Sequence, residues 1–173
     1  MVLLIVDAQQ LIVTPALYAF ELFTGHVARL IACARERGVE VIFIRHDDGE
    51  GGALVKGSPG YDICERFRPL PGERVFDKTV NSAFCGTGLL EYLRSKGETE
   101  VMIAGLQTDY CIDATIKAGF EHGLTMIVPA HANTTFSNAF MTGEASYRYY
   151  NEFMWPGRYA ECIPFEAALA RLG

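Results

Sequence analysis

The chain has 173 residues, half of them apolar, which is enough for one ordinary domain with a full core over residues 1–173. Its net charge is −6 and no Lys/Arg cluster occurs, which argues against nucleic acid as a partner. Five cysteines, at 33, 64, 85, 111 and 162, are odd in number and irregular in spacing, with no C-x-x-C. Neither a disulfide framework nor a zinc ribbon is expected, and a reduced, cytoplasmic setting is the simplest expectation.

In chain order, "MVLLIV" is too short for the apolar region of a signal peptide and runs straight into Asp7. No apolar run approaches the length of a bilayer span, so no membrane partner is expected. "VLLIV" (2–6), "VEVIFI" (39–44), "VMIA" (101–104) and "LTMIVPA" (124–130) are continuously apolar rather than alternating. That suits strands buried on both faces of a parallel sheet. "RVF" (74–76) and "YAECI" (159–163) are weaker strand candidates. "HVARLIACARERG" (26–38) sets Val27, Leu30, Ile31 and Ala34 on one helical face and ends at Gly38. "GLLEYLRSKG" and "CIDATIKAGFEHG" also end in glycine. The alternation predicts an α/β domain with a parallel sheet and right-handed crossovers.

Residues 46–73 are rich in Gly, Pro and charge, and are longer than a usual connection. A functional loop over the active-site end of the sheet is expected there. "HANTTFSN" (131–138) follows a strand and reads equally as pocket rim or as a turn capped by Asn and Thr. "SYRYYNEFMW" (146–155) reads as an aromatic helix with core and subunit-interface positions. No internal repeat or low-complexity tract occurs, and G-x-G-x-x-G is absent, which disfavours a dinucleotide site.

Ligands of parallel α/β sheets bind beyond the carboxyl ends of the strands. Three reactive residues fall there: Asp7 after "LLIV", Lys78 after "RVF", and Cys111 after "VMIAGLQTDY". Singly, each has an ordinary reading as cap, solvated cation or small buried hydrophobe. Jointly they suit thiol chemistry. A helix N-terminus and a nearby ammonium each favour a thiolate, and a carboxylate beside the thiol can take its proton. His46 and His131, also at strand ends, remain rival bases.

"LLIVDAQ", "DKTVNSAF" and "AGLQTDYCIDAT" resemble, in order and spacing, the three signatures of the isochorismatase-like cysteine hydrolases, which include nicotinamidases and N-carbamoylsarcosine amidases. The resemblance runs over nearly the whole chain. It implies a Rossmann-like three-layer sandwich around a parallel sheet of about six strands, and an Asp/Lys/Cys triad that maps to Asp7, Lys78 and Cys111. It also implies a cis peptide at Leu106–Gln107, with the N–H groups of Gln107 and Cys111 forming an oxyanion hole.

Two departures narrow the expectation. Metal-dependent nicotinamidases carry D-x-H and a further histidine after the second strand. Here "RHDDGEGG" supplies only His46, so no metal and no cofactor is expected. Isochorismatases, which cleave a vinyl ether, generally lack the cysteine. The expected function is therefore a cysteine-dependent amidohydrolase of a small molecule, acting through a thioester, with Phe84, Tyr110, His46 and His131 near the substrate. A homodimer or higher homo-oligomer is expected. Two other readings stay open: vinyl-ether hydrolysis with Asp7 as the acid, and a non-catalytic small-molecule-binding domain.

Overall fold

The computed structural model describes residues 1–173 throughout. Seven strands form one sheet: β1 (Val2–Val6), β2 (Glu40–His46), β3 (Arg74–Lys78), β4 (Glu100–Leu106), β5 (Thr125–Pro129), β6 (Asn133–Thr134) and β7 (Glu161–Ile163). Their order is β3-β2-β1-β4-β5-β7, with β6 paired to the end of β4, and every pairing is parallel. Helices α1 (Phe20–Glu36), α2 (Leu89–Ser95), α3 (Asp113–Glu121), α4 (Gly143–Arg148) and α5 (Phe165–Arg171) flank it.

The continuous apolar runs follow from this layering. Along β1, Leu3 and Ile5 enter a cluster with Val27, Leu30 and Phe165 of α1 and α5. Val2, Leu4 and Val6 enter a second cluster with Leu89, Ile116 and Trp155. Both faces are covered, so neither set of alternating side chains can be polar. Each such side chain contributes about 1.5–3 kcal/mol on burial.

The strands differ from expectation in detail. Helix α1 begins at Phe20, six residues before His26, because Phe23 and Thr24 extend its buried face. Strand β6 and helix α5 were not foreseen: β6 is only two residues long, and α5 gives a weak seven-residue pattern. The "HANTTFSN" segment holds β6, and its Asn133, Thr134 and Thr135 are buried. The 46–73 segment is anchored rather than free. Tyr61 and Phe67 are buried, Gln9 and Ile63 form a bridge, and Glu65–Phe67 make a single 3-10 turn. In the aromatic segment, α4 runs into a π-helical stretch, Tyr149–Met154. Tyr147, Asn151 and Trp155 turn inward, whereas Tyr149 and Phe153 are exposed. No helix is long and apolar enough to cross a membrane.

What positions the site is the close approach of β1 and β4. Val6 lies in register with both Ile44 of β2 and Gly105 of β4. Gly105 has φ +129, and a Cβ there would meet the Val6 carbonyl oxygen at 1.9 Å. No L side chain fits that backbone. Gly105→Ala is expected to cost about 3 kcal/mol or more. Urea unfolding measures it, and a loss under about 1 kcal/mol would contradict the close approach.

Candidate active site

The carboxyl ends of four neighbouring strands meet at one edge: Lys78 ends β3, His46 ends β2 in register with it, Asp7 follows β1, and the Cys111 segment follows β4. Asp7 has φ +50, a left-handed conformation that Asp tolerates better than most non-glycine residues. Its N–H donates to the Ile44 carbonyl at 3.0 Å, which fixes the turn of the chain. After β4 comes a cis peptide at Leu106–Gln107, followed by a π-helical turn, Thr108–Ile112, that leads into α3. The Gln107 carbonyl accepts from the N–H groups of both Tyr110 and Ile112 at 3.1 Å. Cys111 thus sits within the first turn of this helical segment.

The Lys78 side chain is wholly buried, and its ammonium is the hub of the site. Nζ lies 2.7 Å from Asp7 Oδ2, 2.9 Å from His46 Nδ1 and 3.1 Å from Cys111 Sγ. An ammonium has three N–H donors, and these three acceptors use them all. His46 Nδ1 must therefore be unprotonated. Its Nε2 faces Asp48 Oδ1 at 3.2 Å, so the proton is assigned to Nε2. The second Asp7 oxygen, Oδ1, is buried and accepts no hydrogen bond. Of the groups at this edge, it is the one with an open acceptor site. His46, engaged at both ring nitrogens, has none.

At the Cys111 thiol, burial opposes the influences that favour a thiolate. Burial and the neighbouring Asp7 carboxylate push it up to about 12, and the Lys78 ammonium only partly opposes them. Asp7 is also raised, by burial first, with Lys78 pulling it back. Both acids are thus raised despite the single ammonium between them, which favours one shared negative charge and a protonated thiol.

His46, Gln107, Tyr110 and Cys111 line a cavity of about 300 Å³, as do Asp7, Asn81 and, from the 46–73 segment, Asp48, Ala53 and Leu54. Two expected substrate contacts lie elsewhere. Phe84 is buried in the core edge-on to His122, because the chain after β3 is drawn down where the Ala83 N–H donates to Thr115 Oγ1 at 3.0 Å. Asn81, three residues earlier, reaches the cavity instead, with Oδ1 3.8 Å from Cys111 Sγ. His131 stacks on Tyr147 at 4.8 Å and lines a separate cavity of about 620 Å³, held there by its backbone N–H, which donates to the Tyr147 hydroxyl at 2.8 Å. Asn81 lies in the "DKTVNSAF" segment and Asp48, Ala53 and Leu54 in the 46–73 loop, but no periodicity in the sequence singles them out.

One oxygen of Asp7, a ring nitrogen of His46 and Sγ of Cys111 all lie within 4.8 Å of one another, a spacing that could suit a metal ion. The Lys78 ammonium already bonds to all three. A divalent cation at that focus would face an unshielded ammonium, so these residues do not fit a metal.

A flanked parallel α/β sheet thus gathers a carboxylate, an ammonium and a thiol at one edge, beside a cavity. The isochorismatase domain model matches residues 1–155, and the chain belongs to the isochorismatase family. It is 31% identical over 107 residues to a streptothricin hydrolase of Streptomyces noursei, covering 62% of this chain and 39% of that protein. It is 33% identical over 145 residues to the maleamate amidohydrolase of Pseudomonas putida, covering 73% of this chain and 68% of that one. The chain thus spans well under half the length of the streptothricin hydrolase. A solved isochorismatase-family structure from Chromobacterium violaceum superposes with a TM-score of 0.91 at 28% identity, over 99% of this chain and 93% of the other.

Two outcomes follow from the hub. Lys78→Met leaves the Asp7 carboxylate buried without its partner and should cost about 3–5 kcal/mol at neutral pH. Without the ammonium the folded-state pKa of Asp7 lies still further above its unfolded value, so stability is intact below the unfolded value and lost as pH rises through the folded one. Denaturant unfolding should show the deficit shrinking in acid; a deficit independent of pH would contradict the pairing. Separately, the ultraviolet thiolate absorbance of wild type minus Cys111→Ala should show no step in the ordinary thiol range and rise only toward pH about 12. A step near neutrality would contradict the protonated resting thiol.

Proposed function

We propose that the protein is a metal-independent amidohydrolase that attacks a small carbonyl substrate with Cys111. The observation that carries this reading is the open, buried Oδ1 of Asp7 beside a protonated thiol. Sγ bonds to the substrate carbonyl carbon as its proton passes to Asp7. The oxyanion sits between the N–H groups of Gln107 and Cys111; the N–H of Gln107 has no backbone partner to give up, and both residues line the cavity. A donor of this kind is worth about 3–4 kcal/mol of barrier.

The intermediate then collapses. The C–N bond breaks, Asp7 returns the proton to the leaving nitrogen, and an acyl thioester remains on Cys111. Water enters, Asp7 takes one of its protons, and oxygen adds to the acyl carbon. The C–S bond breaks, the carboxylic acid leaves, and sulfur regains a proton from Asp7. In both half-reactions Asp7 takes up a proton as the oxyanion forms and gives it up as the oxyanion collapses, so the net charge of the buried site does not change. That matters because a new unpaired charge in such a place is costly. Lys78 stabilises whichever acid is negative, and Asp48 through His46 holds the ammonium in place.

The relatives are named for different substrates, streptothricin and maleamate. Both are named hydrolases and one an amidohydrolase, which supports hydrolysis of an amide over the vinyl-ether reading. The exposed Tyr149 and Phe153 support self-association through that face; sedimentation should give at least a dimer, and a monomer at micromolar concentration would contradict it.

The test of the reaction is ammonia release over a panel of small amides. With a substrate found, Asp7→Asn and Cys111→Ala should each lower kcat by about a thousandfold or more, and the double variant should lose little further, because the pair acts as a unit. Additive losses, or full activity in Cys111→Ala, would overturn it. Activity should also survive chelation; loss restored by zinc or iron would reverse that part.

A further inference from the structure

The charges at the cavity define which substrates can enter it. The lining contains no lysine or arginine. The ammonium behind it, Lys78, is wholly buried with its donors committed to Asp7, His46 and Cys111. The basic residues nearest in sequence are also committed: Arg45 bonds to Asp77 at 2.8 Å and Asp62 at 3.2 Å, and Lys56 bonds to Asp77 at 2.6 Å. Two carboxylates, Asp7 and Asp48, face the cavity, with only neutral Asn81, Gln107 and Tyr110 as further polar side chains beside His46. Asp48 is fixed there, since Oδ2 accepts from the Leu54 N–H at 2.8 Å while Oδ1 faces His46. It lines the cavity and remains about one-third exposed.

From this the geometry points to a substrate class: small amides whose non-reacting part is neutral or cationic, with amides carrying a carboxylate excluded, maleamate, for which one relative is named, among them. An anionic substrate would lose its water at this cavity and find no cation in return. It would also meet the fixed field of Asp48. A substrate amine would find in Asp48 a pre-positioned partner. The inference rests on the amidohydrolase reading for the word substrate, but the charge selectivity it assigns to the cavity is a property that can be read without turnover.

The experiment uses two thiol reagents of nearly equal size, neutral iodoacetamide and anionic iodoacetate, on the wild-type protein. Mass spectrometry of peptides gives the alkylation rates of Cys111 and of Cys85, an exposed cysteine that serves as the reference in the same molecule. The iodoacetamide-to-iodoacetate rate ratio at Cys111 should exceed that at Cys85 by about tenfold or more. In Asp48→Asn the excess should fall at least about threefold. An equal or smaller ratio at Cys111 in wild type overturns the proposal, and an excess unchanged in Asp48→Asn overturns the role given to Asp48. Failure of every amide in the panel to release ammonia would instead count against the hydrolase reading and leave the alkylation result standing.

Discussion

The site depends on one buried ammonium. Lys78 has no exposure, and taking a lone cation out of water is costly enough that a structure keeps it only when it is paired and fully hydrogen-bonded. Here Asp7, His46 and Cys111 supply that pairing and converge from three strands. The chain positions follow from it. Asp7 must turn inward at the end of β1, His46 must present Nδ1 rather than an N–H, and the Cys111 turn must lie close above β4. Remove the ammonium and the other three have no common reason to meet.

The same interaction limits the chemistry. One cation balances one anion, so the site cannot hold carboxylate and thiolate together without a net negative charge in a dry place. Burial and Asp7 raise the thiol, and burial raises Asp7. The two acids compete for one proton, and in the proposed reaction that competition becomes the catalytic device. Attack by sulfur moves the proton to Asp7, and collapse passes it on to the leaving nitrogen. An ordinary reactive cysteine gains its thiolate beforehand from a helix end or a neighbouring cation. Here Lys78 supplies such a cation but desolvation outweighs it, and in the proposed reaction the neighbouring carboxylate takes the proton instead.

Much of this could be read along the chain, for identifiable reasons. Strands β1, β2, β4 and β5 are fully covered, and their unbroken apolar runs announce it. Asp7, Lys78 and Cys111 follow strands, and a parallel sheet brings such points to one edge. The details that failed depend on contacts made across the fold. Phe84 looked like a pocket residue because it lies near the lysine in sequence, but the Ala83–Thr115 hydrogen bond draws it into the core. His131 ends its strand at the same edge, yet it stacks on Tyr147 beyond β4, over a different cavity. The sequence displays the lysine and the helix start that favour a Cys111 thiolate, but not the depth of burial that opposes it. Asp48 carries no pattern of its own. Its place is set by the loop that folds back to bond to it through the Leu54 N–H.

The most direct measurement is mass spectrometry of the protein quenched during turnover of an amide that it hydrolyses. The account predicts an acyl adduct on Cys111 whose mass equals the substrate minus its leaving amine. That adduct should be absent in Cys111→Ala and should fail to form at an appreciable rate in Asp7→Asn. Turnover with no adduct on Cys111, together with undiminished hydrolysis by Cys111→Ala, would contradict it.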